Sequence, residues 1–127
     1  EILRSLEEVA NFDIGIPTGE TESCIREIER ELTAGFEGLL LLIFGHLGDG
    51  NLHLIASTGK AADKLKIYDL VYRITGEHHG GIAAEHGIGV LKKPWLHLSR
   101  NEAEISRMKT LKAALDPKHI LNPGRVI

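Results

Sequence analysis

The sequence contains few of the features that mark specialised classes of protein. Cys24 is its only cysteine, so the chain can form neither an internal disulfide nor a thiolate metal cluster. A single thiol suits a reducing compartment, and we therefore expect the protein in the cytoplasm. The longest apolar run, residues 39–44, is far too short to cross a bilayer, and we expect no membrane span.

An excess of positive charge is also missing. The 15 basic and 18 acidic residues give a formal charge of -3, which leaves no broad positive field for binding nucleic acid. Neither the G-x-G-x-x-G pattern nor the G-K-[ST] pattern occurs. These absences argue against nucleic acid as a partner and against a phosphate-binding loop in this chain.

A chain of 127 residues with 43% hydrophobic residues fits a single domain, residues 1–127, with its own core. Apolar residues at helical spacing alternate with short apolar runs, and the GDGN sequence at 48–51 is typical of a tight hairpin. The pattern predicts a strand at 13–17, a helix that ends by Gly35, strands at 39–47 and 52–57, a helix from about Ala61 to Gly80, and a fourth strand at 82–85.

The last third of the chain predicts one further helix. Ser99 and Glu102 have the spacing of a capping box, and the helix that follows ends at Asp116, before a proline. We expect an extended tail from Asn122. The predicted fold class is α+β, a ferredoxin-like antiparallel sheet with helices on one face, plus this C-terminal helix and tail.

Two histidines flank the predicted hairpin turn. If the turn is at Asp49 and Gly50, His46 lies directly opposite His53, and their Cβ atoms are about 4.5–5.5 Å apart on one face. Both rings could then bind one metal ion at about 2.0–2.1 Å. The alternative is two histidines on a half-exposed sheet face with no ligand, and spacing alone gives the two interpretations equal weight.

The sequence Glu85-His86-Gly87 follows the predicted fourth strand. Glu85 could complete a site of two histidines and a carboxylate, with His86 beside it as a base, if the chain leaves the sheet there. In a ferredoxin-like sheet, however, His53 and Glu85 are two strand spacings apart, about 9–10 Å. The alternative is that Glu85 and His86 pair with each other in a loop, to which spacing gives similar weight.

Other basic side chains are weaker candidates. Lys92 and Lys93 could bind a carboxylate, although a lysine pair in a loop is usually solvated. His78 and His79 follow the second helix, where positive charge is favoured, and we interpret them as structural.

Three segments resemble the C-terminal region of the FAD-linked oxidases of the vanillyl-alcohol oxidase type, in the branch of D-lactate, glycolate and D-2-hydroxyglutarate dehydrogenases. They are residues 44–54 (FGHLGDGNLHL), 80–92 (GGIAAEHGIGVLK) and 108–126 (MKTLKAALDPKHILNPGRV), in the family's order. The resemblance implies oxidation of a D-2-hydroxy acid to the 2-oxo acid with hydride transfer to FAD.

The resemblance also implies the roles of individual residues. His46, His53 and Glu85 are the expected ligands of a divalent metal, zinc or manganese, and His86 is the expected base that takes the hydroxyl proton. By the same resemblance we assign Asn51 and Lys92 to substrate binding and Asn122 to cofactor binding.

At one position the sequence departs from part of the family. Members that act on 2-hydroxyglutarate usually have asparagine two residues after the second histidine, where this chain has Ile55. We expect FAD to be bound mainly by an N-terminal domain outside these 127 residues, so this chain alone should be inactive. There are two other hypotheses. The chain is either a ferredoxin-like module that binds a small molecule without redox chemistry, or a domain that has lost its catalytic function and is retained for assembly of the protein.

Overall fold

A computed structural model describes residues 8–46 and 48–127. Within them, one antiparallel sheet contains β1 (Ala10–Gly15), β2 (Leu40–His46) and β3 (Asn51–Ser57) in the order β1-β3-β2. β3 therefore lies in the centre, with its first residue, Asn51, at the same end of the sheet as the last residues of β1 and β2.

Three α-helices accompany the sheet in this part of the chain: α1 (Thr21–Gly35), α2 (Ala61–Glu77) and α3 (Glu102–Leu115). Short 3₁₀ helices precede α1 at Thr18–Glu20 and lie between α2 and α3 at Lys93–Leu98. The predicted α+β class, with an antiparallel sheet and helices, is confirmed. None of the helices in the described residues has the length and apolar character needed to cross a membrane.

The core lies between the helices and one face of the sheet. Phe12 of β1 packs against Tyr68 and Tyr72 of α2, with ring centroids 5.0 and 5.3 Å apart. Ile14 and Leu54 lie on the same face and are fully buried. Because side chains alternate along a strand, the residues between them project from the opposite face, which the helices leave uncovered.

The predicted fourth strand at 82–85 is wrong. Among the described residues the segment forms one isolated bridge to β1, where Gly15 and Gly81 exchange two backbone hydrogen bonds of 2.9 and 2.7 Å, and one further backbone hydrogen bond, from Ala84 to the carbonyl of Asp13 at 3.2 Å. Beyond it, the side chain of Asp13 takes the place of a strand partner and accepts the backbone N–H groups of Glu85 and His86. The segment therefore runs beside β1, as a fourth strand would, but turns away from the sheet after one bridge.

The predicted hairpin register is also wrong. His46 pairs with Asn51, and His53 pairs with Phe44, so the paired residues of β2 and β3 end at His46 and resume at Asn51. A two-residue turn is prevented because Gly50 is bound elsewhere: its carbonyl accepts the N–H of Ile16 at 2.8 Å, beyond the end of β1. The predicted pairing of Leu47 with Leu52 involves Leu47, which lies outside the residues that the structure describes.

The C-terminal region differs from expectation in two details. Asn101, not Ser99, caps α3: its side chain accepts the N–H of Glu104 at 2.9 Å, and the Glu104 carboxylate accepts the N–H of Asn101 at 2.8 Å. Ser99 instead caps the C-terminal end of the preceding 3₁₀ helix, where its N–H donates to the carbonyl of Leu96 at 3.2 Å. The tail is turned rather than extended, because Asn122 accepts the N–H of Arg125 at 3.3 Å.

Candidate metal and proton-transfer site

The three predicted metal ligands lie together. His46 at the end of β2, His53 in β3 and Glu85 in the loop after the bridge offer ligand atoms that are all within 4.8 Å of one another. The Nδ1 atom of His46 is 3.7 Å from Oε1 of Glu85. The register error does not separate the histidines, because a shift of two residues, unlike a shift of one, leaves a side chain on the same face of the sheet.

Glu85 contacts the end of the sheet at which β3 begins, close to the two histidines. The side-chain amide of Asn51, the first residue of β3, donates a short hydrogen bond to Oε1 of Glu85. This contact bridges the separation of two strand spacings that a regular sheet would impose. Asn51, assigned to substrate binding from the sequence, is buried, and in this structure its amide group holds Glu85.

His86 lies beside the same cluster. Its ring is 6.0 Å, centroid to centroid, from that of His53, with an angle of 28° between the planes. Its Nδ1 atom is 3.6 Å from Oδ2 of Asp13, and 68% of its side chain is exposed. A ring held at one end near a carboxylate and open to solvent at the other is suited to exchange a proton with a bound molecule.

Asp13 was not predicted as a site residue. Its carboxylate is buried and accepts the N–H of Glu85 at 3.0 and 3.1 Å and that of His86 at 2.8 Å. Burial raises the pKa of this carboxyl, but the two N–H groups and the ammonium of Lys92 outweigh it, and the pKa lies below its ordinary value. The signal in the sequence was a charged residue between apolar residues of a predicted strand. Side chains alternate between the two faces of a strand, however, and Asp13 falls on the face that the pattern predicts to be exposed.

Lys92 lies beneath the site. Its ammonium donates to the carbonyl of Asp13 at 3.3 Å and to Oδ2 of Asp13 at 3.4 Å. Burial lowers the pKa of Lys92, and the attraction of Asp13 opposes that shift. Its predicted role in binding a substrate carboxylate remains a prediction, and such a role would compete with Asp13 for the ammonium.

The other histidines and Asn122 lie elsewhere. Asn122 is exposed in the C-terminal turn and does not line the cavity beside the cluster. His78 bonds with Glu20 at 3.1 Å and with Glu27 at 2.9 Å, which joins the end of α2 to α1. The structural interpretation of His78 agrees with these contacts.

An open cavity of about 730 Å³ lies against the uncovered face of the sheet. His46, His53, Glu85 and His86 line it together with Phe44 and Lys92. The loop at 87–91 forms its other wall, where Val90 and Leu91 are exposed. A small ligand in this cavity would meet the imidazoles, the Glu85 carboxylate and an apolar wall at once.

The donor set fits a divalent metal. Two imidazoles and one carboxylate are ligands that zinc and manganese accept, and they leave coordination positions open. Ligand atoms on one ion are about 3–4 Å apart when each bond is about 2.1 Å, so the observed separations require only small rotations of side chains. The exposure of His46 and Glu85, with 61% and 49% of their side chains accessible, permits those rotations.

Comparison with known proteins identifies the family of the chain. The chain matches the family "FAD linked oxidases, C-terminal domain" over residues 2–126. It therefore belongs to this family.

The chain and individual relatives are identical at about a third of their aligned positions. It is 36% identical to a D-2-hydroxyglutarate dehydrogenase of Stutzerimonas stutzeri over 90% of its own length and 26% of the relative's. It is 37% identical to the mitochondrial D-2-hydroxyglutarate dehydrogenase of Arabidopsis thaliana over 100% and 22%. A glycolate oxidase subunit of Bacillus subtilis is 34% identical over 90% and 25%.

The chain thus spans about a quarter of the length of these relatives. Some are mitochondrial and others are bacterial, so the expected location in the cytoplasm stays a prediction.

Proposed function

We propose that the chain is the catalytic and substrate domain of a flavin-dependent oxidoreductase that oxidises a D-2-hydroxy acid to the 2-oxo acid. The observation that carries the proposal is the grouping of His46, His53 and Glu85 within 4.8 Å, with the ring of His86 next to His53. The family and the names of its relatives support the same reaction.

Oxidation of an alcohol carbon needs a base for the hydroxyl proton and an acceptor for the hydride. We assign the proton to the accessible nitrogen of the His86 ring, since its Nδ1 atom faces Asp13. A divalent cation held by His46, His53 and Glu85 would supply positive charge beside the hydroxyl and carboxylate oxygens of the substrate. FAD, when bound, supplies the hydride acceptor.

The partner that completes the site is, in this proposal, the N-terminal FAD-binding domain of the same protein. Phe44, Val90 and Leu91 support it, because these apolar side chains border the cavity and are 54%, 60% and 55% exposed. A domain packed on the open face of the sheet would cover them and close the cavity. A further electron acceptor would reoxidise the flavin.

The full-length protein that contains this domain tests the proposal. We expect anaerobic addition of a D-2-hydroxy acid to bleach the flavin absorbance and to yield the 2-oxo acid, while the L-enantiomer does neither. Metal analysis of the same sample should find close to one divalent ion per chain, and removal by chelator should abolish the reaction. A protein that oxidises no D-2-hydroxy acid and retains no metal would refute it.

A further inference from the structure

Glu85 and His86 are neighbours in the sequence, yet both side chains reach one site. In a regular strand successive side chains point to opposite faces, so one of the two would face away. The local backbone must therefore depart from the strand at this point, and something must hold it there.

Asp13 holds this backbone. Three successive N–H groups donate to it: that of Ala84 to the carbonyl oxygen at 3.2 Å, and those of Glu85 and His86 to the carboxylate at 3.0 and 2.8 Å. A regular strand directs successive N–H groups to opposite sides, whereas these three converge on one residue. The convergence bends the chain around Asp13 and turns both side chains toward the cavity.

The carboxylate of Asp13 also binds Lys92, which follows the cavity loop of residues 87–91. Lys92 donates its ammonium to Asp13, and its own N–H donates to the carbonyl of Ile88 at 3.2 Å. Asp13 is 1% exposed and Lys92 is 7% exposed, so the contact is shielded from water. Between the two fixed ends lie Gly87 and Gly89, which have φ angles of 71° and 58°.

From these contacts we propose that Asp13 is the positioning residue of the site: it fixes Glu85 and His86 side by side, so that ligand and base serve one substrate. This inference rests on the proposed function for what the two side chains do. The placement of the two side chains by Asp13 is a separate claim and has its own measurement.

The experiment compares Asp13→Asn with Asp69→Asn in the full-length protein. Asparagine has the same shape, but it keeps only one acceptor oxygen and presents an N–H₂ group to the N–H groups of the loop. Asp69 is the matched control, because it accepts a hydrogen bond from Trp95 at 2.7 Å and does not line the cavity.

We expect Asp13→Asn to weaken metal affinity by about 10–100-fold, as loss of a partner behind a metal ligand does. It should also lower kcat more than it changes KM, because the base is displaced. Excess metal should not restore kcat, in contrast to Glu85→Gln, where the base is intact. Asp69→Asn should keep the native metal affinity and the native kcat, even where the substitution changes the Tm of the protein.

Amide hydrogen exchange tests the placement without reference to activity. In the native protein the amides of Glu85 and His86 should be protected, and Asp13→Asn should speed their exchange by at least about tenfold. Unprotected amides in the native protein, or a folded Asp13→Asn variant with native exchange, metal affinity and kcat, would overturn the inference. Protected amides in a protein that binds no metal would instead refute the proposed function alone.

Discussion

His53 and His86 lie with their rings 6.0 Å apart and nearly parallel, although one belongs to the central strand and the other to a loop beyond α2. The central strand is fixed by pairing on both sides, and the loop is fixed by Asp13. The proposed ligand His53 and the proposed base His86 are thus held by different parts of the fold, so their proposed roles can be separated by substitution.

The first prediction concerns His86 in the full-length enzyme. His86→Ala should lower kcat by about 10²–10⁴-fold and leave metal content unchanged, because in the proposed mechanism the ring accepts the hydroxyl proton and is not a ligand. Stopped-flow measurement of flavin reduction isolates this chemical step. His97→Ala is the control, since that exposed ring contacts only the carbonyl of Pro94 among its hydrogen-bond partners in the described residues. Near-native flavin reduction in His86→Ala, with metal bound, would place the base elsewhere.

The second prediction concerns the metal ligands. His53→Ala and Glu85→Gln should each reduce metal content, and excess zinc or manganese should restore part of the activity, because these residues act through the ion. Metal content and activity are measured before and after dialysis against each metal. Retention of the ion in both variants would contradict the ligand assignment.

The third prediction concerns the chain of residues 1–127 by itself. Two imidazoles and one carboxylate leave coordination positions open, and the side chains of His46 and Glu85 are 61% and 49% exposed. We therefore expect zinc affinity at least about tenfold weaker than in the full-length protein. Calorimetric titration of both proteins under the same conditions provides the comparison. Equal affinities would show that this domain alone completes the site.

The sequence predicted the helices and the class of fold, because these depend on local periodicity. Its motifs also named His46, His53 and Glu85 as candidates, and the structure places these three side chains close together. The register of the hairpin could not be predicted in the same way. It depends on the contact between Gly50 and Ile16, which are far apart in the sequence and lie together because β1 pairs with β3. The role of Asp13 was hidden for the same reason, because its hydrogen-bond partners are 72 and 73 residues away.

A fourth prediction tests this turn. A Cβ atom at Gly50 would lie 1.9 Å from the carbonyl oxygen of Ile16, and its φ angle is +70°, so Gly50→Ala should destabilise the domain by at least about 2 kcal/mol. Gly48→Ala is the matched control in the same turn, since a Cβ atom there meets nothing within 4 Å. Denaturant unfolding measures both. Equal stability of the two variants would show that the turn is free to change its shape.

His78 supplies a pH-dependent prediction. The hydrogen bond to Glu27, helped by that to Glu20, raises the pKa of His78 above its ordinary 6.5, while His78 lowers the pKa of each glutamate below 4.5. The imidazolium stabilises the fold below pH 6.5, and this contribution is lost as pH rises through the raised pKa. The carboxylates stabilise it above pH 4.5, and that part is lost as pH falls through their lowered values.

His78→Gln should therefore lower Tm more at about pH 5.5 than at about pH 8.5, because the contribution of the imidazolium is lost as pH rises through the raised pKa. Thermal unfolding at both pH values measures the difference. His97→Gln is the control, because its ring faces a carbonyl and no carboxylate among the described residues. A loss of Tm that is the same at both pH values would show that His78 acts through packing alone.

The last prediction concerns the side chain of the substrate. Ile55 lies two residues beyond His53 on the same face of β3 and lines the cavity opposite Asn11 of β1. Lys92 is the one lysine or arginine among the described residues of the cavity wall, and Asp13 already binds it. A second carboxylate beside Ile55 would therefore find no unpaired cation among the described residues of this cavity wall, and its desolvation would not be offset by an opposite charge.

We expect kcat/KM for D-lactate to exceed that for D-2-hydroxyglutarate in the full-length enzyme. Ile55→Asn should shift the ratio toward D-2-hydroxyglutarate by at least about tenfold, because the amide offers a donor to the second carboxylate where the isoleucine offers none. Leu42→Asn is the matched control: it lies on the neighbouring strand directly opposite Ile55, is 41% exposed and does not line the cavity, so it should leave the ratio unchanged. If Ile55→Asn and Leu42→Asn have the same ratio, or if the native enzyme prefers D-2-hydroxyglutarate, the side chain of the substrate is recognised by the partner domain and not by Ile55.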